Sequence, residues 1–179
     1  MAATFAWGED NGTQTGSPLK GTTRNTSRTE RNYKNIDDST TAYSSSPITA
    51  GNNSFSKYQF GIFSGTYNQV LNGKWSAHTS PAGALATGLT LKGTVSSTYA
   101  TPSTTANAAL TTDFTTAVAI ASGLTVLFAV TGPEAAGAAS TLSSGGGYTQ
   151  YLVSQLQTTV SASAGDMATV TETLQYDEN

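Results

Sequence analysis

The sequence predicts an all-β protein, an antiparallel β-sandwich or jelly roll with an extended N-terminal arm. From Ser54 onward large apolar residues recur at a spacing of two, the period of a half-buried strand. Gly-rich turn signals separate these runs, and no segment sustains a period of 3.6. Thr, Ser, Ala and Gly make up just over half of the 179 residues, and only 11% are charged. That balance is usual in all-β extracellular or virion proteins; disordered chains carry more charge and fewer aromatics.

Taken in order, Tyr58, Phe60 and Ile62 alternate. The parity then changes at Phe63 and Tyr67, which predicts a bulge near Gly61 or Gly65. Asn72-Gly73 divides Thr66–Leu71 from Lys74–Thr79, the pattern of a two-residue hairpin turn. Leu89, Leu91, Val95 and Tyr99 would share one strand face, and Phe114, Thr116, Val118 and Ile120 another. After Gly123, Leu124, Val126, Phe128 and Val130 predict an inward-facing strand that ends at Gly132-Pro133. Gly145-Gly146-Gly147 precedes a strand over 148–160, and Ala164-Gly165-Asp166 turns into one over 168–176. The count is seven or eight strands. Thr104–Leu110 offers at most one or two helical turns. No long internal repeat points to a propeller or solenoid.

Residues 1–54 read differently. They hold eight large apolar residues against 34 in residues 55–179. So sparse a segment cannot build a core of its own. Fixing each backbone residue costs about 1–2 kcal/mol, so an ordered arm needs a surface beneath it, its own body or a neighbouring subunit. The predicted division is an arm over 1–54, with one short strand near 32–36, and a sandwich body over 55–179.

Charge follows the same division. Lys20, Arg24, Arg28, Arg31 and Lys34 fall within fifteen residues, whereas no Lys or Arg follows Lys92. The basic run reads either as a solvated loop or as a set of salt bridges to acidic patches on a neighbour. Candidate partner-contact residues are therefore Phe5, Trp7, Arg24, Arg28, Arg31 and Lys34, with the two aromatics as anchors. Nucleic acid is not an expected partner: net charge is −3, and no aromatics interleave with the bases.

Chemistry is hard to place in this sequence. Without cysteine there is no disulfide, thiolate zinc site or cysteine nucleophile. The single histidine, His78, lies among Ala77, Thr79 and Ser80 with no nucleophile signature nearby, and reads as a polar residue near a strand end. Glu9-Asp10, Asp37-Asp38 and Asp177-Glu178 lack a calcium-loop pattern and read as solvated turn acids; Asp37-Asp38 stands ready to cap the Ser/Thr run after it. Residues 16–23 hold the parts of a phosphate loop in the wrong order. Three Asn-X-Ser/Thr matches are what chance gives in so Ser- and Thr-rich a chain. No cofactor or metal is expected. The stretch Ala117–Val130 is too short and interrupted to cross a bilayer, and the N-terminal residues lack a secretory pattern. The expectation is a soluble protein made in the cytoplasm that need not stay there, with no membrane partner.

Two stretches carry a resemblance. One is Tyr33-Lys34-Asn35-Ile36-Asp37-Asp38, then Ser46-Pro47-Ile48-Thr49-Ala50-Gly51-Asn52-Asn53-Ser54 and Lys57-Tyr58-Gln59-Phe60. The other is Tyr148-Thr149-Gln150-Tyr151-Leu152-Val153, then residues 168–179 closing on Tyr-Asp-Glu-Asn. They resemble small all-β virion proteins of tailed bacteriophages. The resemblance implies a non-enzymatic particle component: a capsid decoration or cement subunit, or a neck or tail subunit. It further implies a homo-oligomer in the virion that contacts other virion proteins. A reading from another class is a carbohydrate- or receptor-binding module that displays Tyr99, Tyr148 and Tyr151 on an exposed face.

Overall fold

The computed structural model describes residues 2–28, 32–79, 85–130, 138–163 and 169–179. It is an all-β sandwich of two antiparallel sheets. The strands are β1 (Ala3–Thr15), β2 (Lys20–Arg28), β3 (Lys57–Gly65), β4 (Gln69–Thr79), β5 (Leu89–Ser96), β6 (Thr112–Asp113), β7 (Leu124–Val126), β8 (Phe128–Ala129), β9 (Thr141–Ser143), β10 (Gly147–Thr149), β11 (Tyr151–Thr158) and β12 (Val170–Glu178). The larger sheet runs β2-β1-β3-β11-β5-β6, with β10 joining β3 to β8. The smaller runs β12-β4-β7, with β9 also on β4. No helix among the described residues is long and apolar enough to cross a membrane.

The main core lies between the sheets. Trp75 and Ala77 of β4 and Val126 of β7 meet Leu91 of β5 and Leu152 and Leu156 of β11. Beside it, Phe63 and Phe128 of the larger sheet meet Val70 and Leu142 of the smaller. A third cluster covers the outer face of the larger sheet: Tyr58, Phe60, Tyr151 and Val153 under Tyr99 and Leu110 from the loop after β5. β3 is therefore buried on both faces. This explains the parity change seen in the sequence, and it needs no bulge, because β1 pairs with β3 in unbroken register from Ala3↔Gly65 to Asp10↔Tyr58.

Several expected elements differ. Residues 3–28 are not an arm laid over the body. They form a hairpin, and its first strand is hydrogen-bonded along β3 as part of the larger sheet. No strand forms at 32–36; that stretch is loop. Asn72-Gly73 is not a hairpin turn either, since β4 runs straight through it. Between the pairs Gln175↔Lys74 and Asp177↔Leu71, two β4 residues face one β12 residue. Asn72 takes a positive φ of 56°, so the dipeptide serves a bulge. The Leu124–Val130 run splits at Leu127: β7 belongs to the smaller sheet and β8 to the larger. Val126 and Phe128 are buried as expected, whereas Val130 is 66% exposed. Thr104–Leu110 stays non-helical, and of the strand expected over 114–120 only β6 and a turn of 3₁₀ helix at Ile120–Ser122 form nearby. The Gly132-Pro133 and Ala164-Gly165-Asp166 turn signals lie outside the described residues.

Candidate functional site

The N-terminal hairpin holds its place through charge and hydrogen bonds. Alternation along β1 sends Phe5, Trp7 and Glu9 to the face that looks between the sheets, and Ala6, Gly8 and Asp10 to the other. The first set reads as a gradient. Phe5 packs at 5.4 Å from the Phe63 ring and 5.0 Å from Trp7, and Trp7 leans on the main core. Glu9 follows, with no exposure at all.

Glu9 is the centre of the site. Its Oε1 accepts from Lys57 Nζ at 3.2 Å and from Asn11 Nδ2 at 2.9 Å, and its Oε2 accepts from Gln59 Nε2 at 2.9 Å. The Arg28 guanidinium lies 3.6 Å from the same Oε2. Lys57, Gln59 and Asn11 are also buried. Burial pushes the Glu9 carboxyl up, but Lys57, the two amides and Arg28 together outweigh it and hold the group below its usual range. Burial dominates for Lys57 and lowers its pKa against the pull of Glu9.

A loop closes over this centre. Asp37 accepts from Asn11 Nδ2 at 2.9 Å and from the Gly12 amide at 2.6 Å. The Asp38 carbonyl accepts from Lys57 Nζ at 3.0 Å, and the Ser39 carbonyl accepts from Arg28. Asp38 caps the turn it begins, taking the amides of Thr40 and Thr41, the Thr41 hydroxyl and the ammonium of buried Lys34. Of the Asp-Asp pair expected to cap the Ser/Thr run, Asp38 does so, whereas Asp37 ties the loop to Asn11 and Gly12. Burial raises the Asp38 carboxyl, but Lys34 and Thr41 prevail and hold it far below the usual carboxylate value. Three acids, Glu9, Asp37 and Asp38, thus face three bases, Arg28, Lys34 and Lys57. Near-balance of charge is what lets such groups leave water.

On the outer face Asp10, also with no exposure, accepts a two-pronged contact from Arg24 at 2.7 and 2.6 Å and a bond from the Tyr151 hydroxyl. The Arg24 guanidinium lies 5.0 Å over the Phe60 ring. Gly8 is required beside it, since a Cβ there would sit 2.3 Å from Phe60. Gly12, at φ +86°, forms a bulge in the hairpin and offers its carbonyl to the Tyr99 hydroxyl at 2.7 Å. The hairpin is thus gripped from both sides.

The sequence candidates therefore meet partners within the chain. Arg24 pairs with Asp10, Arg28 with Glu9 and the Ser39 carbonyl, and Lys34 with Asp38. Arg31 lies outside the described residues, as does the side chain of His78. Phe5, Ala6, Trp7, Ser27 and Arg28 line a surface depression at the base of the hairpin. Glu9 and Asp10 are buried ligands of bases and are not solvated turn acids. Tyr99 and Tyr151 are buried as well, so they form no exposed platform with Tyr148. Sequence reasoning misread Glu9 as solvated and gave Asn11, Lys57 and Gln59 no role in a site. Their signal was the run Phe5-Ala6-Trp7-Gly8-Glu9-Asp10-Asn11, whose alternate positions form one face. Among the described residues no three His, Asp or Glu side chains converge as metal ligands. No family model, no curated protein and no solved structure matches this chain.

Proposed function

We propose that the chain is a non-enzymatic structural subunit of a bacteriophage particle, a capsid decoration or cement protein. The observation that carries this reading is the hairpin's outer edge. β2 ends the larger sheet, most of its side chains are exposed, and no further strand pairs with it among the described residues. At its base the depression lined by Phe5, Trp7 and Arg28 offers apolar surface beside a cation. An open strand edge next to an apolar recess suits docking on a neighbouring subunit. The resemblance of residues 33–60 and 148–179 to tailed-phage virion proteins supports the same reading. The body would sit on the shell as a homo-oligomer, with the hairpin edge against other virion proteins.

Quantitative mass spectrometry of purified particles tests it. A copy number matching that of the shell subunit supports decoration. A single ring's worth of copies reassigns the chain to the neck or tail, and absence from the particle rejects the proposal.

A further inference from the structure

Lys57, Glu9 and Asn11 form an arrangement that structural packing alone does not require. All three are buried, at 1%, 0% and 3% exposure. β1 and β3 are adjacent and antiparallel, and their paired register ends at Glu9↔Gln59 and Asp10↔Tyr58, one residue short of Asn11 on β1 and of Lys57 on β3. One oxygen, Glu9 Oε1, accepts from both the lysine ammonium and the asparagine carboxamide, at 3.2 and 2.9 Å. The carboxamide oxygen, Asn11 Oδ1, is buried with no hydrogen-bond partner, an unusual condition for such a group. Asp37 holds the same carboxamide through Nδ2 and also engages the Gly12 amide.

From this geometry we infer that Lys57 and Asn11 are the site of an intramolecular isopeptide bond, formed with Glu9 as the proton carrier. Glu9 takes a proton from the Lys57 ammonium and leaves a neutral amine. Nζ attacks Asn11 Cγ, and a new C–N bond forms while the carbonyl becomes a tetrahedral centre. Glu9 returns its proton to the carboxamide and takes a second one from Nζ. The Cγ–Nδ2 bond then breaks. Ammonia departs, carrying the remaining proton as ammonium, and Glu9 is again a carboxylate. Atoms and charge balance without oxidant, metal or cofactor.

Each requirement has a counterpart in the site. A nucleophilic lysine must be desolvated so that its neutral form is accessible, and Lys57 is. The base must touch both the proton it removes and the group it protonates, and Glu9 does so with one atom. Reactants fixed side by side gain the advantage of an intramolecular reaction. Burial excludes the water that would compete. Engagement of the Gly12 amide by Asp37 disfavours the alternative path open to an Asn-Gly pair, cyclisation onto the following backbone nitrogen. The product would tie β1 to β3 covalently and close the chain between residues 11 and 57. This inference holds whatever assembly the chain belongs to.

The test is the intact mass of the purified full-length protein, kept folded at neutral pH, followed by peptide mapping. The expected result is a chain lighter by one ammonia, with a branched peptide joining the segments that contain Asn11 and Lys57. Glu9→Gln and Lys57→Met should retain the full mass. Wild-type protein that keeps the full mass after prolonged incubation overturns the inference, and this outcome does not depend on any variant folding. An ammonia loss that persists in Lys57→Met, or that hydroxylamine cleaves, identifies a succinimide at Asn11-Gly12 or Asn72-Gly73 and overturns it equally.

Discussion

The two flanks of the larger sheet are held by different forces. Where β11 and β5 face β4 and β7, the contact is apolar: Trp75 stands 5.0 Å from Phe114, and Leu91, Val126 and Leu152 close around them. Where β1 and β2 join β3, side chains of the same depth are Glu9, Lys57, Gln59, Asn11 and Asp10. A count of apolar residues sees only the first kind of contact. It therefore reads the hairpin as a segment unable to fix itself. Buried ion pairs add little net stability over well-packed apolar groups, but they tolerate almost no mismatch, because each member left alone is costly. The apolar flank supplies most of the stability, and the ionic flank fixes register.

The largest test of this contrast is amide exchange in the isolated monomer. An arm ordered only by assembly would exchange as fast as an unfolded chain. Because β1 is hydrogen-bonded to both β2 and β3, its amides should be protected nearly as well as those of β11, and trypsin should spare Arg24. Exchange of β1 at the rate of exposed loops would collapse the comparison.

On the apolar flank, Phe128 is 1% exposed, with its ring 5.8 Å from that of Phe63. Phe128→Ala should cost about 3–5 kcal/mol, the usual range for a large buried aromatic, read from denaturant midpoints. A cost below about 1 kcal/mol would mean that the two sheets are not packed there.

The ionic flank should respond unevenly. Arg24→Ala leaves Asp10, a carboxylate with no exposure, with the Tyr151 hydroxyl as its side-chain partner among the described residues, and should cost about 3–5 kcal/mol. Asp10→Ala should cost less, because Arg24, whose side chain is 25% exposed, can turn to water. Equal costs for the two changes would point to a contact that is mainly packing.

The same contrast explains what could be read in advance. The Tyr58-Phe60-Ile62 alternation, the Leu89 and Leu91 pattern of β5 and the strand at the C-terminal end were all legible, because burial selects apolar side chains at a period of two. The hairpin was not, since its buried acids find their partners at separations no local pattern marks: Lys57 and Gln59 lie 48 and 50 residues from Glu9, and Arg24 and Tyr151 lie 14 and 141 from Asp10. Sequence places Glu9 beside Asp10 and says nothing of Lys57. Asn72-Gly73 misled because a positive φ serves a bulge as well as a turn. The change of sheet at Leu127 had no local signal; only the cross-sheet partners of Val126 and Phe128 define it.

The smallest expected effect concerns acid and the loop that closes the ionic flank. Asp38 is held below its ordinary value of 3.8, with burial opposing and Lys34 and Thr41 prevailing. Glu9 is likewise held below 4.5, with burial opposing and Lys57 leading the groups that outweigh it. A carboxyl whose folded pKa lies below its unfolded one binds fewer protons when folded. Its stabilising share is complete above the unfolded value and is lost as pH falls through the folded one. Stability of the hairpin and of the 34–41 loop should therefore hold from neutral pH to about pH 5 and decline below it. Among the described residues, the carboxyls beside the apolar flank are single acids, Asp113 on Lys92 and Glu172 on Trp75, and form no comparable cluster. Exchange measured at stepwise lower pH should show β1 and the loop opening before β11 and β5. Asp38→Asn keeps the shape of the cap and removes its charge, so it should flatten the acid decline of the loop while leaving the β5–β11 amides unchanged. An equal decline in both variants would place the acid response elsewhere and remove Asp38 from the clasp.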